Sequence, residues 1–101
     1  MINKQLKSKW VKALRSGKYR QGVGSLKYRD ALAHRTKYCC LGVLQELMPE
    51  KLQSSGEQTY LGEDQLKLAG LTHKNQDKLA NLNDIDRLSF PEIADYIEQK
   101  L

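Results

Sequence analysis

Apolar residues fall along this chain at helical and at alternating spacings, and each spacing predicts a different element. In residues 3–16, Leu6, Trp10 and Leu14 continue from Ile2 at every fourth position, with Val11 and Ala13 widening the stripe. That is the one-sided burial of an amphipathic helix. Lys4, Lys7, Lys9, Lys12 and Arg15 occupy its remaining surface, and Ser16-Gly17 ends it with glycine where a left-handed cap is needed. Trp10 lies on the apolar stripe and reads as a core anchor. The most apolar run is Lys37–Met48, where Cys40, Val43, Leu44 and Leu47 share one helical face. It reads as a strand running into a short, largely buried helix. Gly42 inside that helix costs about 1 kcal/mol relative to alanine, so a neighbouring strand or a ligand is expected close against the backbone there.

Between these two stretches the period changes. Tyr19, Gln21 and Val23 alternate with Arg20 and Gly22, and Leu26 alternates with Lys27 and Tyr28. With Gly22 and Gly24 between them, the two runs predict a hairpin or a pair of bulged strands. Arg35–Tyr38 is a third strand, reached through Asp30–His34. Beyond the central helix, Pro49 stops the ladder, Lys51–Gln58 is a polar loop, and Thr59-Tyr60-Leu61 is a short strand or lead-in. Glu63–Ala69 predicts a brief helix closed by Gly70. Thr72 or Asn75 caps a further helix carrying Leu79 and Leu82, which dissolves at Asn83-Asp84. Ser89-Phe-Pro-Glu92 fits a capping box for a last helix with Phe90, Ile93, Ala94, Ile97 and Leu101 buried. The expected fold class is α+β, a small single domain over residues 1–101. It has an N-terminal helix, a small antiparallel sheet or hairpin, a central buried helix and C-terminal helices.

Charge adds an asymmetry to that pattern. Residues 1–38 hold eleven Lys and Arg against one acid, a net of +10, whereas residues 39–101 hold six against eleven, a net of −5. Either the basic half faces an anionic partner, or the two halves meet each other within one chain or in a homo-oligomer. No apolar run approaches the ~20 residues that cross a bilayer, and the first residues lack the uninterrupted apolar region of a signal peptide. Cys39 and Cys40 are adjacent, a spacing strained for a disulfide, which points to a reducing, cytoplasmic setting.

Candidate chemistry is sparse. The Gly22-Val-Gly24 segment lacks the third glycine of a dinucleotide fingerprint and the Gly-Lys-Ser/Thr of a phosphate loop, so it reads as a turn. Cys39 stands at a helix N-terminus, which lowers a thiol pKa, but no base is spaced to serve it, and core packing is the stronger reading. His34, Cys39, Cys40 and His73 lack the paired spacing of a zinc site. Asn81, Asn83, Asp84 and Asp86 lack the central glycine of a calcium loop. No catalytic residue, metal site or cofactor is therefore expected. The residue types do suit an anionic aromatic ligand. Arg20 and Lys27 are its cations, Tyr19, Tyr28 and Tyr38 its flat faces, and Gly22 a point of close backbone approach. Gln21, Asn83 and Asp84 supply hydrogen bonds, and the amides near Cys39 complete the set.

Three blocks carry a resemblance: Trp10-Val-Lys-Ala-Leu-Arg-Ser-Gly-Lys-Tyr-Arg-Gln-Gly22, Tyr38-Cys-Cys-Leu-Gly-Val-Leu44, and Leu79–Leu101 with its Leu-Asn-Asp and Ser-Phe-Pro-Glu-Ile-Ala-Asp. Together they resemble a family of small, mostly uncharacterised proteins encoded by tailed bacteriophages and prophages. The chain departs from that pattern at Ile85-Asp-Arg-Leu88, where a glycine-containing turn is expected. The resemblance implies an accessory protein in the bacterial host cytoplasm and carries over no catalytic residue. Joined to the basic, aromatic hairpin, it implies a counter-defence protein that sequesters a nucleotide-derived immune messenger without catalysis. A nucleic-acid-binding or host-protein-binding inhibitor is the alternative, and a nucleotide-cleaving enzyme the third class.

Overall fold

The computed structural model describes residues 2–30, 35–49 and 60–101. The connection at 31–34, the polar loop at 51–58 and Thr59 lie outside the described residues. The elements in chain order are α1 (Lys4–Arg15), β1 (Arg20–Gln21), β2 (Lys27–Asp30), β3 (Arg35–Tyr38), α2 (Cys40–Glu46), α3 (Glu63–Ala69), α4 (His73–Asp84) and α5 (Phe90–Lys100). This is a small α+β domain, helices outweighing strands, and among the described residues no helix is long and apolar enough to cross a membrane.

The helices begin and end where their caps dictate. Asn3 Oδ1 accepts from the Leu6 amide at 3.1 Å and starts α1, and Gly17 follows its end at φ +75°. Thr72 Oγ1 accepts from the Asn75 amide at 3.0 Å while Asn75 Oδ1 accepts from the Thr72 amide at 3.1 Å, so both residues cap α4 together. Ser89 and Glu92 do the same for α5. Gly70 ends α3 in the left-handed region. Tyr60 and Leu61 form no strand; Leu61 is buried, and its amide donates to Gln76 Oε1 at 2.6 Å.

The core is one cluster gathered around α2. Cys40, Leu41, Val43 and Leu44 are fully buried in one cluster with Trp10 and Leu14 of α1, Leu79 of α4, and Ile93 and Ile97 of α5. Trp10 is a core residue, and its indole Nε1 donates to the Cys40 carbonyl at 2.8 Å, so the anchor is directional as well as apolar. The charge asymmetry is partly resolved within the chain. Arg15 of α1 pairs with Asp95 (2.7 Å) and Glu98 (3.1 Å) of α5, and Lys27 pairs with Glu46 at 2.7 Å.

The sheet has the order β1-β3-β2. β2 and β3 are antiparallel, but β1 lies parallel to β3 on its other side, with Arg20 registered on Lys37 and Gln21 on Tyr38. The two runs expected to form a hairpin with each other therefore flank the third strand instead. The chain between β1 and β2 is tied down at its two glycines: Gly22 donates to the Tyr38 carbonyl and accepts from Asn83 Nδ2, and Gly24, in the left-handed region at φ +85°, donates to Asp84 Oδ1.

Gly42 meets a backbone, as its position inside a buried helix suggested. A Cβ there would overlap the carbonyl of Leu26, which itself accepts from the Cys39 amide at 3.2 Å. The approach leaves no flexible side chain to give way. Helix propensity alone predicts that Gly42→Ala stabilises the protein by about 1 kcal/mol; overpacking predicts a loss of about 3 kcal/mol. Urea denaturation is expected to show the loss, and a variant at least as stable as the parent would contradict the close approach.

Candidate functional site

The end of the sheet nearest α2 is organised by two side-chain amides. Asn83, fully buried in the last turn of α4, uses its whole hydrogen-bonding capacity. Its Oδ1 accepts from the Cys40 amide (3.2 Å) and from Gln21 Nε2 (3.0 Å). Its Nδ2 donates to the Gly22 carbonyl (2.8 Å) and to Asp84 Oδ1 (2.8 Å). The reverse orientation would aim its NH2 at two donors, so the partners fix which end is oxygen. Gln21 Nε2 also donates to the Leu88 carbonyl (2.6 Å), and its Oε1 accepts from the Phe90 amide (3.1 Å). Asp84 Oδ1 accepts from the Gly24 amide at 3.1 Å as well. Gln21, Gly22, Asn83 and Asp84, all candidate ligand groups, thus bond to one another and to the chain.

A second part of the candidate set lies on the same face of the sheet as Gln21. The rings of Tyr19 and Tyr38 meet edge to face at 5.1 Å. Lys18 Nζ lies 5.6 Å from the Tyr19 ring, and Lys27 Nζ lies 6.0 Å from the Tyr38 ring. Burial, then the nearby Glu46 carboxylate, raises the Tyr38 phenol above its ordinary pKa. The hydrogen bond to Glu46 holds the Lys27 ammonium above its own. This rim is aromatic and cationic, with the Lys27 charge matched by Glu46.

The remaining candidates face the other way. Side chains alternate across a strand, so Arg20, Lys37 and Tyr28, which register across β1, β3 and β2, stand in one row on the opposite face. Arg20 and Arg35 are exposed there, and Lys37 and Tyr28 are half-buried. Tyr28 packs against Gly22: a Cβ at Gly22 would sit 2.7 Å from Tyr28 Cε1 and 2.9 Å from Lys37 Cβ. At the far end of the row Asp30 is registered opposite Arg35. Arg35 and Lys37 were not among the expected ligand groups, although the alternation that selects Tyr28 also selects them.

The structure therefore divides the ten expected residues by face and by use. Arg20 and Tyr28 remain together on an open face. Tyr19, Tyr38 and Lys27 form the rim, and the others hold the fold. Cys39 and Cys40 are both buried. Burial pushes the Cys39 thiol up to about 11, against smaller lowering by the Gly42 and Leu41 amides, and pushes Cys40 well above its ordinary value. Desolvation outweighs the lowering effect of the helix N-terminus, in keeping with core packing as the stronger reading of Cys39. Cys40 Sγ instead lies 3.6 Å from the Leu79 carbonyl, a weak donor packed in the core. Among the described residues no group of His, Cys, Asp and Glu is placed to hold a metal ion. Asn81, in the polar cluster, offers its carbonyl to the amides of Ile85 and Asp86, which is turn formation.

The family model described as "Domain of unknown function (DUF8296)" matches residues 2–61, and the chain belongs to that family. No curated protein and no solved structure matches it. The matched span carries α1, the sheet and α2, and so both faces just described.

At pH 8, a disulfide reagent such as DTNB is expected to label neither cysteine in the native protein and both in guanidinium. Rapid native labelling of Cys39 would show an activated thiol instead. The same burial gives a pH signature. The folded thiols stay neutral while unfolded ones ionise near 9, so their contribution to stability is complete below pH 9 and declines as pH rises toward 11.

Proposed function

We propose that this member of the DUF8296 family is a non-catalytic binding protein whose ligand is a nucleotide-type anion, held on the sheet face that carries Arg20 and Tyr28. The observation that carries the reading is the cross-strand row of Arg20, Lys37 and Tyr28. It sets an exposed guanidinium on the same face as an aromatic ring packed against Gly22, with Lys37 between them. A guanidinium recognises phosphate oxygens bidentately, and a half-buried tyrosine offers a flat face for a base. The buried, protonated thiols speak against cysteine chemistry at the neighbouring helix end. The three-block resemblance to small phage and prophage proteins supports a finer reading. In it the protein works in the bacterial cytoplasm and withdraws a nucleotide-derived signal of host defence.

A second reading is favoured by the openness of the face. Arg20 and Arg35 are both exposed rather than enclosed, whereas a small-ligand site buries most of its ligand. A single-stranded nucleic acid would lie across such a face with its bases on the aromatic ring and its phosphates on the cations.

Purified protein incubated with cyclic dinucleotides, cyclic ADP-ribose isomers and mononucleotides, then heat-denatured, is expected to release one intact ligand detectable by mass spectrometry. Arg20→Ala should weaken that binding about tenfold, the loss of one hydrogen bond to a charged group at ~1.5 kcal/mol, with an unchanged melting temperature. Binding to single strands that falls steeply with salt, with no small ligand retained, supports the second reading. Release of a cleaved product, or no binding in either assay, overturns the proposal.

A further inference from the structure

Among the described residues one edge of the sheet is unpaired, and its chemistry selects what can join it. In the order β1-β3-β2, the far side of β2 has no neighbouring strand among the described residues. The pairing on its near side fixes which backbone groups point outward. The Cys39 amide donates to the Leu26 carbonyl, whereas the Tyr38 carbonyl accepts from Gly22 on the other side of β3. Hydrogen-bonded and non-bonded pairs alternate in an antiparallel ladder. Tyr28, opposite Lys37, is therefore in a bonded pair, and Lys27 and Arg29, opposite Tyr38 and Thr36, are in non-bonded pairs. The N–H and C=O groups of Lys27 and Arg29 consequently face away from β3, and no described residue pairs with them.

Side-chain direction adds a charge pattern to this edge. Lys27 and Arg29 point to one face and Tyr28 to the other, and both cations are exposed. Lys27 has Glu46 as a counterion, while Arg29 pairs with no described acid. A second copy of the chain is a poor occupant. Antiparallel self-pairing about Tyr28 sets Lys27 of one copy against Arg29 of the other, and pairing about Arg29 sets that residue against itself. Like charges directly opposite destabilise a ladder, the usual protection of an edge against self-association. An incoming strand with acids at alternate positions reverses the sign at both sites. The residue between those acids faces Tyr28 and is best apolar.

We propose that the β2 edge docks another protein by strand addition, accepting an extended segment with an acid–apolar–acid pattern opposite Lys27, Tyr28 and Arg29. Two backbone N–H and two C=O groups provide the ladder, and the cations provide the selectivity. The apolar residue of such a segment meets Tyr28, the ring of the nucleotide face, whereas Arg29 belongs to the edge alone, so variants at Arg29 and exchange at the edge amides test this interaction separately from the proposed function.

The probe is a labelled peptide, Thr-Glu-Val-Glu-Thr, followed by fluorescence anisotropy and amide hydrogen exchange with the full chain. Binding is expected in the micromolar to millimolar range, with exchange slowed at the Lys27 and Arg29 amides, while that of Tyr28, already bonded to β3, changes little. Arg29→Glu should weaken binding about tenfold or more, as attraction becomes repulsion across the pair, while Arg29→Lys keeps most of it. The same peptide N-methylated at both glutamates retains its charge but cannot form the ladder, and it should not bind. Equal binding of the N-methylated peptide overturns the proposal. So does absence of binding at millimolar peptide, or protection of the Lys27 and Arg29 amides that rises with protein concentration alone.

Discussion

One buried carboxamide holds together parts of the chain that sequence keeps far apart. Asn83 joins the C-terminal turn of α4 to the first amide of α2, to the carbonyl of Gly22 beside β1 and, through Gln21, to the start of α5. The separations along the chain are about forty to seventy residues, so each bond closes a long loop. Such bonds add only about 1 kcal/mol each when made, but leaving their partners buried and unpaired costs about 1–3 kcal/mol apiece. The asymmetry makes the arrangement all-or-none. Without Asn83, both the Cys40 amide and the Gly22 carbonyl would be stranded away from water. The parallel placement of a two-residue strand depends on this side chain more than on its own short ladder.

The same constraint decides which groups are left for a partner. Asn83, with all four hydrogen bonds made inside the protein, has none to offer a ligand, and Gln21 with three such bonds and Asp84 with two at Oδ1 hold the scaffold beside it. Their bonding sets the Gly22 backbone against Tyr28 and fixes the row in which Arg20 stands. Charge follows a similar division. Arg15 and Lys27 are matched by Asp95, Glu98 and Glu46, while Arg20, Arg29 and Arg35 remain exposed on the sheet. The basic half of the sequence is thus part internal counterion and part open surface.

Burial was legible in the sequence because periodicity reports it directly. The stripes of α1 and α5, the Ser89–Glu92 and Thr72–Asn75 caps and the close approach at Gly42 all follow from local spacing. Partners were not legible. Alternation marks Gln21 as strand-like but says nothing of β3 as its neighbour, and two residues are too few to carry a register. Asn83 looked like the fraying end of a helix, because short polar residues cluster at such ends; its burial comes from contacts far away in sequence. The Ile85–Leu88 turn shows the converse. The resemblance led to the expectation of a glycine there, and the backbone does enter the left-handed region, at Arg87 with φ 54°. A non-glycine residue thus takes the conformation that glycine adopts most easily.

The central claim is that Asn83 locks the sheet to the helices, and chemical denaturation of Asn83→Ala tests it most directly. Two stranded backbone groups at ~1–3 kcal/mol each predict a loss of about 3 kcal/mol or more, a large share of the 5–15 kcal/mol typical of a domain. A variant within about 1 kcal/mol of the parent would contradict it, because the Cys40 amide and the Gly22 carbonyl would then have to be satisfied without that side chain.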